Sequence, residues 1–323
     1  MSHSRTHPPL AFLFPGQGSQ YVGMGKELAI MYPAAQQVFD EADAALGTPL
    51  SGVIFNGPED ALKLTEKTQP AILAVSIAIF RVLREKGFSP SYVAGHSLGE
   101  YSAHVAAGTM DFADAVRTVR QRGRYMQDAV PVGVGAMAAV VGLPLDKLRE
   151  VCKQAAQGEV VSPANINSPD QIVISGNTGA VTRAAELAKE AGAKRAIMLP
   201  VSAPFHCPLM APAQKRLAAD LQHVRFREPE IPVISNIDAE PTSTASYSRD
   251  ALVRQVTGAV RWEQSMRKLM ALGVENFVEV GPGRVLTGLM RQIDKEKTCL
   301  NIEDEASLQK FLNHFEPARA EAE

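Results

Sequence analysis

The chain has 323 residues, of which 46% are hydrophobic and 21% charged, and its formal net charge is −2. These values are ordinary for a soluble globular protein and predict one large domain, or a large domain with a smaller companion. The small net charge excludes a global field that would draw the protein to nucleic acid or to an anionic membrane. No apolar run reaches the roughly 18 residues needed to span a bilayer, so we expect no membrane association.

The chain ends and the cysteines bear on where the protein works. Residues Met1–Pro9 are polar and lack the apolar core of a signal peptide, so we expect a flexible lead. Residues Glu316–Glu323 are expected to form a frayed tail. Cys152, Cys207 and Cys299 are widely spaced and suggest neither a disulfide framework nor a metal site. We therefore expect a cytoplasmic protein without a bound metal.

The first predicted strand, Leu10–Phe14, is an apolar run that stops at the glycine-rich loop Pro15-Gly16-Gln17-Gly18-Ser19-Gln20. Such loops present backbone amides at the carboxyl edge of an α/β sheet. A phosphate-binding loop is excluded because no Gly-Lys-Ser/Thr follows. A mostly apolar helix opened by Thr68-Gln69-Pro70 and ending near Lys86 is predicted to be buried under the sheet. Two shorter helices are predicted before it, over Met24–Met31 and Ala34–Leu46.

A candidate nucleophile lies between a predicted strand, Tyr92–Ala94, and a predicted helix, Ser97–Ala106. The joining residues, Gly95-His96-Ser97-Leu98-Gly99, match Gly-x-Ser-x-Gly, which forms a sharp turn with the serine exposed at its apex. Glycines are needed there because the turn brings backbone segments too close for a side chain. The helix that follows points free N–H groups toward the serine oxygen. The five-residue pattern alone is common by chance, but its place between strand and helix favours a nucleophile.

The next helix, predicted over Phe112–Met126 with Asp111 as its N-cap, carries an arginine on its buried face. Apolar residues recur at the i, i+3, i+4, i+7 spacing of a buried stripe. Arg122 falls on this stripe, whereas the other three arginines of the helix do not. A guanidinium there must reach solvent, pair with a carboxylate or face a cleft that a charged ligand enters. The residues alone leave a structural ion pair and a ligand clamp both open.

Beyond residue 130 the pattern changes to short elements in the order β-α-β-β-α-β. They are predicted over Ala136–Val141, Pro144–Ala156, Val160–Asn165, Gln171–Ser175, Thr178–Ala191 and Arg195–Leu199. This is the order of the ferredoxin-like split unit. We therefore predict a small domain over residues 130–200, inserted into a large core made of residues 1–129 and 201–315. A cleft should form where the two meet.

The chain returns to the large core through a proline-framed loop, Pro200–Pro208, which contains His206. A helix through Leu221 follows. The last predicted elements are the strand Val233–Asn236, the helices Leu252–Val256 and Trp262–Leu272, the strand Asn276–Val280, the helix Arg284–Ile293 and the strand Thr298–Asn301.

A serine nucleophile needs a base, and elimination among the seven histidines favours His206. His96 flanks the serine and should point away from it, and His104 lies two helical turns further on, too far to reach its oxygen. No acidic residue follows His206 in its loop, so a backbone or amide oxygen would have to orient the imidazole. The oxyanion hole would combine the N–H of Leu98 with an amide of Gln17.

Several motifs extend over nearly the whole chain. They are Phe14-Pro15-Gly16-Gln17-Gly18-Ser19-Gln20, Gly95-His96-Ser97-Leu98-Gly99-Glu100-Tyr101, Gln121-Arg122-Gly123, Pro204-Phe205-His206, Leu252-Val253-Arg254-Gln255 and Glu279-Val280-Gly281-Pro282-Gly283. Together they closely resemble the malonyl-CoA:acyl-carrier-protein transacylases, the acyltransferases of fatty acid synthesis. The resemblance implies an α/β fold, with an α/β-hydrolase-like core of mainly parallel sheet and a ferredoxin-like insert.

The resemblance also implies a role for each motif residue. Ser97 would carry the malonyl ester, and His206 would act first as general base and then as acid. Arg122 would grip the free malonyl carboxylate, and the amides of Gln17 and Leu98 would form the oxyanion hole.

Two further roles come from the same resemblance. Gln255 would steady His206 through its main-chain carbonyl, in place of an acidic third member. Phe205 would favour malonyl, because Phe before the histidine accompanies malonyl choice in related polyketide acyltransferases, whereas Ser accompanies methylmalonyl. The preceding Ala203-Pro204 departs from the His-Ala of those domains.

The implied partners are malonyl-CoA and a holo acyl carrier protein, with no bound cofactor. Three alternatives stay open at this point. The chain could be a discrete acyltransferase of a polyketide or malonate decarboxylase system, a serine thioesterase, or a carrier-protein docking module with a vestigial site.

Overall fold

The structure is a computed structural model that describes residues 9–201 and 203–315. The predicted lead, apart from Pro9, and the predicted tail lie outside the described residues. The strands are β1 Leu10–Phe14, β2 Tyr92–Gly95, β3 Gly135–Val141, β4 Val161–Ser168, β5 Gln171–Asn177, β6 Arg195–Met198, β7 Val233–Ile234, β8 Pro241–Thr242, β9 Asn276–Val280 and β10 Thr298–Ile302.

Fourteen α-helices are described, five of them between β1 and β2. They are α1 Lys26–Met31, α2 Pro33–Leu46, α3 Leu50–Asn56, α4 Glu59–Lys63, α5 Thr65–Glu85, α6 Gly99–Ala106, α7 Phe112–Asp128, α8 Leu145–Ala156, α9 Thr178–Glu190, α10 Ala211–Leu221, α11 Ala245–Gln255, α12 Trp262–Ala271, α13 Val285–Ile293 and α14 Glu305–Phe315. None of the described helices is long and apolar enough to cross a bilayer. The sequence patterns did not predict α3, α4 or α14.

A six-stranded sheet forms the centre of the molecule, in the order β10-β9-β1-β2-β7-β8. All neighbours are parallel except β7 and β8. The interior strand β1 is fully buried from Ala11 to Phe14 because helices cover both faces, as is usual for parallel sheets. The prediction of an α/β fold with a mainly parallel sheet is confirmed. The carboxyl ends of β1, β2, β7 and β9 therefore lie at one edge, where the loops after them meet.

Helix α5 lies against one face of this sheet, where Phe80 packs edge-on against Phe12 and Phe14 of β1. The predicted helix start was wrong, because α5 begins at Thr65 and Pro70 lies inside it. The first turn forms before the proline, since the N–H groups of residues 67 and 68 already bond to the Leu64 carbonyl. Proline removes the N–H of its own position, and packing on neighbouring helices, α2 and α7 above all, keeps the helix intact.

A second sheet of four antiparallel strands has the order β4-β5-β3-β6. Helices α8 and α9 pack on it and bury a separate apolar core. The observed elements follow the predicted order β-α-β-β-α-β, with bounds that differ by one to three residues. Backbone hydrogen bonds join this part to the rest, because Val260 N donates to Ala164 O and Ile166 N donates to Val260 O, both at 2.8 Å.

Local side-chain chemistry explains other differences from the predictions. Asp111 precedes α7 as predicted, but its side chain makes no capping hydrogen bond, because both carboxylate oxygens accept from Arg227. The predicted helix Leu252–Val256 is the end of the longer α11, which starts where Thr244 Oγ1 accepts from the N–H of Tyr247. Helix α6 begins at Gly99 rather than at Ser97, since Ser97 has a φ of 52°.

Candidate active site

Ser97 lies at the apex of a tight turn between β2 and α6, at the carboxyl edge of the central sheet. Its φ of 52° lies in the left-handed region, which is unusual for a residue other than glycine. A Cβ at Gly95 would come within 1.9 Å of the carbonyl of Gly99, and a Cβ at Gly99 within 2.0 Å of the oxygen of Phe14. The two glycines are therefore required by close backbone approach, as predicted.

His206 meets Ser97 from the proline-framed loop. The Ser97 Oγ and His206 Nε2 atoms are 2.7 Å apart, and His206 Nδ1 lies 2.9 Å from the main-chain oxygen of Gln255. Because that carbonyl can only accept, Nδ1 carries the proton and Nε2 is free to accept one from the serine. Burial, with the positive charge of Arg122, lowers the pKa of His206 to about 3, so the imidazole is neutral near pH 7.

Arg122 is 2% exposed and projects from the buried stripe of α7 toward the same serine. Its Nη2 donates to Ser97 Oγ at 3.1 Å and to Gln255 Oε1 at 2.9 Å, and its Nη1 donates to Gln69 Oε1 at 2.7 Å. Its Nε is buried without a hydrogen-bond partner among the described residues. All three acceptors are neutral oxygens, so the structural ion pair that the sequence left open does not form within the described chain. The guanidinium is a buried cation that can still bind an anion.

Gln17 and Leu98, the two residues predicted for an oxyanion hole, both line the cavity in front of Ser97. Within the described chain, no hydrogen bond uses either backbone N–H. The side chain of Gln17 instead donates to Thr65 Oγ1 at 3.4 Å. Two free backbone donors therefore lie beside the serine.

A cavity of about 450 Å³ opens over Ser97, His206 and Arg122. One wall comes from the central part of the molecule. The opposite wall comes from the second sheet and from the segment that leaves it, through Met137, Asn165 and residues 199–201. Phe205 is half-buried and lines the cavity beside His206.

Three further polar residues at the site were missed by sequence analysis. Gln69 binds Arg122, Asn236 Oδ1 accepts from the N–H of Ser97 at 2.7 Å, and Glu100 Oε2 accepts from Gln255 Nε2 at 2.6 Å. Burial raises the pKa of the Glu100 carboxyl to about 7. Gln69 and Glu100 lie in mostly buried helices and Asn236 lies two residues after the buried strand β7, so a polar side chain in a buried segment was the available signal.

His96 and His104, two of the histidines that elimination set aside, do not bond to the Ser97 hydroxyl. His96 Nε2 lies 2.9 Å from Asn167 Oδ1, so its side chain points away from the serine oxygen as predicted. His104 is fully buried in α6, and neither ring nitrogen has a hydrogen-bond partner among the described residues.

The described residues contain no group of three or more His, Cys, Asp or Glu side chains arranged to hold a metal ion. Cys152, Cys207 and Cys299 are free thiols, and burial raises the pKa of each. A thiol held protonated in this way is a poor nucleophile and a poor metal ligand.

Comparison with known proteins identifies the family. The acyl transferase domain family matches residues 11–313. A malonyl CoA-acyl carrier protein transacylase from Escherichia coli K12 is 51% identical over 284 residues, which cover 88% of this chain and 92% of that protein.

Solved structures agree with this match. The crystal structure of an acyl carrier protein S-malonyltransferase from Vibrio cholerae superposes with a TM-score of 0.92 at 49% identity, covering 94% of this chain and 99% of the other. A malonyl-transacylase solved in complex with its type II PKS acyl-carrier protein gives a TM-score of 0.93 at 48% identity, covering 95% and 99%. The chain therefore belongs to the acyl transferase domain family, together with the malonyl CoA-acyl carrier protein transacylases.

Proposed function

We propose that the chain transfers the malonyl group of malonyl-CoA to the phosphopantetheine thiol of a holo acyl carrier protein. The reaction is ping-pong, proceeds through a malonyl-serine intermediate and supplies fatty acid synthesis. One observation carries the proposal: a buried guanidinium, which bonds only to neutral oxygens among the described residues, lies 3.1 Å from the hydroxyl of Ser97. The names of the similar proteins support it.

In the first half-reaction, Ser97 Oγ attacks the thioester carbonyl while His206 Nε2 takes the hydroxyl proton. The backbone N–H groups of Gln17 and Leu98 stabilise the negative charge that develops on the carbonyl oxygen. The tetrahedral intermediate then collapses, the C–S bond breaks, and the CoA sulfur takes the proton from His206. The products are free CoA and malonyl-Ser97.

The second half-reaction reverses these roles. His206 takes the proton of the phosphopantetheine thiol, and the sulfur attacks the ester carbonyl of malonyl-Ser97. The bond between the carbonyl carbon and Ser97 Oγ breaks, and the serine oxygen recovers the proton from His206. Only side-chain and backbone groups of the chain take part in these steps, so we propose that no cofactor stays bound.

Arg122 selects the acyl group in this proposal. A charge-assisted bond to the malonyl carboxylate contributes about 1.5–3 kcal/mol, which corresponds to roughly 10- to 150-fold in rate. Acetyl would leave the buried guanidinium without its anion, a further penalty. Phe205 narrows the cavity beside His206, and we propose that it favours malonyl over branched acyl groups.

Gln255 orients the base in this proposal. Its main-chain oxygen accepts from His206 Nδ1 and holds the tautomer in which Nε2 can accept the serine proton. The carbonyl is uncharged, so it orients the ring without the added basicity that a carboxylate would supply.

We also propose that residues 130–200 form a ferredoxin-like small domain inserted into an α/β-hydrolase-like core of residues 1–129 and 201–315. The strand order β4-β5-β3-β6 and its antiparallel pairing support the first assignment. We propose a cytoplasmic enzyme, because its acyl donor and its carrier protein would be met there.

Mass spectrometry of the intact chain after mixing with malonyl-CoA tests the intermediate. The unsubstituted chain should gain one malonyl group, and the Ser97→Ala variant should gain none. Rapid loss of the adduct without an acceptor would instead indicate a thioesterase. Full transfer by Ser97→Ala would indicate a docking module whose site is vestigial.

The substitution Arg122→Ala tests acyl selection. It should lower kcat/KM for malonyl transfer roughly 10- to 150-fold and leave acetyl transfer unchanged or faster. Arg117→Ala, on the same helix but bonded to Asp114 at the surface, is the matched control and should change neither. Equal losses with both acyl groups would contradict the role of Arg122.

A type II polyketide carrier remains the second candidate acceptor, because one similar malonyl-transacylase was solved with such a carrier. Transfer assays with a fatty acid carrier and a polyketide carrier, each at several concentrations, give kcat/KM for both acceptors. The carrier with the higher kcat/KM indicates the pathway that the chain serves.

A further inference from the structure

The backbone on either side of Ser97 is held by a side chain that takes no part in the proposed chemistry. Asn236 lies two residues after the end of β7, the neighbour of β2 in the central sheet. Its Oδ1 accepts from the N–H of Ser97 at 2.7 Å, and its Nδ2 donates to the oxygen of Gly95 at 2.7 Å. One amide thus uses its acceptor and its donor to bridge the two ends of the turn.

This turn needs such a support. Ser97 is not a glycine, yet its φ is 52°, a conformation that is costly unless the surroundings over-determine it. The turn is also packed so closely, on its own backbone at Gly95 and on the end of β1 at Gly99, that neither glycine has room for a Cβ. A small rotation about the Ser97 backbone would move its Oγ out of the 2.7 Å contact with His206.

A buried carboxylate holds Asn236 in place. Glu100 is 0% exposed, and its Oε2 accepts from the backbone N–H of Asn236 at 3.2 Å and from Gln255 Nε2 at 2.6 Å. Gln255 Nε2 in turn donates to the oxygen of Ser97 at 2.9 Å. One carboxyl group therefore anchors both residues whose side-chain amides bond to the backbone of the turn, Asn236 through its backbone and Gln255 through its side chain.

The same cluster of Glu100, Asn236 and Gln255 also bonds to His206 and Arg122. The main-chain oxygen of Gln255 accepts from His206, and its side-chain oxygen accepts from Arg122. Asn236 bonds to both ends of the serine turn and, among the described residues, makes no hydrogen bond with His206 or Arg122. Its Oδ1 also accepts from Gln255 Nε2 at 3.4 Å, a longer contact than the 2.7 Å bonds to the turn. Its substitution therefore acts most directly on the position of the nucleophile.

We propose that Asn236, anchored by Glu100, is a positioning residue that holds the Ser97 backbone in the conformation that aims its hydroxyl at His206. The inference rests on the proposed acylation of Ser97 by malonyl-CoA. Asn236 would act on the rate of acylation with every acyl donor, and not on the choice between donors, because it has no contact with Arg122.

Active-site titration with malonyl-CoA and with acetyl-CoA tests the inference, because it separates the fraction of active chains from the rate per active chain. In Asn236→Ala, the amplitude should stay near one acyl group per chain while the acylation rate constant falls by about 10- to 100-fold. The malonyl-to-acetyl ratio of the rate constants should stay within about twofold of the unsubstituted value. A residue needed only for folding would show the opposite pattern, a lower amplitude at an unchanged rate.

A second test variant and a control variant complete the experiment. Asn236→Asp keeps an acceptor for the Ser97 N–H but sets an oxygen against the oxygen of Gly95, so its rate should also fall even if Asn236→Ala does not fold. Ser235→Ala is the matched control. Ser235 precedes Asn236 in the segment after β7 and is equally buried, but its hydroxyl accepts from the N–H of Asp238 and not from the serine turn. Its rate should stay unchanged.

The outcomes also separate this inference from the function on which it rests. If the unsubstituted chain is not acylated, the proposed function fails. If it is acylated but the Asn236 variants react at its rate, or lose only amplitude, the positioning role is wrong and the proposed function stands.

Discussion

At the scale of single residues, the site depends on how one buried positive charge is accommodated. Arg122 is surrounded by amide and hydroxyl oxygens, which accept from its two terminal nitrogens without neutralising its charge. A carboxylate in their place would have cancelled the charge and left nothing for an anionic ligand to gain. The burial of Arg122 could be predicted from the apolar stripe of α7. Its partners could not, because Gln69 and Gln255 lie 53 and 133 positions away in the sequence.

A residue-scale prediction concerns His104. Burial lowers its pKa to about 3, below the value near 6.5 of an unfolded chain. Between these values the unfolded state binds a proton that the folded state does not, so stability is lost as the pH falls from about 6.5 toward 3. The variant His104→Leu removes this effect. The loss in free energy of unfolding between about pH 7 and about pH 5 should then shrink by about 2 kcal/mol, as measured by urea titration. An unchanged loss would mean that His104 is protonated in the folded state.

At the scale of elements, local patterns predicted most helices and strands, and packing decided their ends. Period-two and 3.6-residue patterns depend on near neighbours in the sequence, so β1, β2, α7 and β9 could be predicted. Helix α5 could not be bounded in this way, because its first turn forms before Pro70 and is retained by tertiary contacts. The turn at Ser97 was predictable because steric exclusion at two glycines is a local property.

An element-scale prediction compares two helical glycines. Gly99→Ala puts a Cβ 2.0 Å from the oxygen of Phe14, which belongs to backbone and cannot move aside. We expect a loss of roughly 3 kcal/mol or more in free energy of unfolding. The control is Gly288→Ala in α13, where a Cβ meets nothing within 4 Å and should stabilise the protein by about 0.5–1 kcal/mol. Denaturant unfolding measures both, and similar effects at the two positions would contradict the steric argument.

At the scale of the whole molecule, the cavity exists only because two sheets meet. Residues of the second sheet and of the segment that leaves it close one side of the cavity over Ser97. The hydrogen bonds of Val260 with Ala164 and Ile166 tie the second sheet to the central part, beside the contact between His96 and Asn167. This backbone bridge between the two parts favours unfolding as one cooperative unit.

Trp262, the one tryptophan of the sequence, reports on this junction. It is fully buried, and its ring lies 5.5 Å from that of His96. On heating, the fluorescence of Trp262 and the far-ultraviolet circular dichroism should change together, with midpoints that agree within about 2 °C. Two separate transitions, only one of them visible to Trp262, would show that the second sheet unfolds independently.

The sequence by itself determined the features that depend on neighbouring residues: the strand-turn-helix around Ser97, the buried stripe that carries Arg122, and the order of elements between residues 130 and 200. Only the tertiary structure decided which groups surround them. Asn236 reaches the serine turn, Gln69 reaches the guanidinium and Gln255 reaches both because strands and helices distant in sequence pack side by side. Hydrogen bonds between such segments depend on the packed geometry of the chain, so they cannot be predicted from the local periodicity of the sequence.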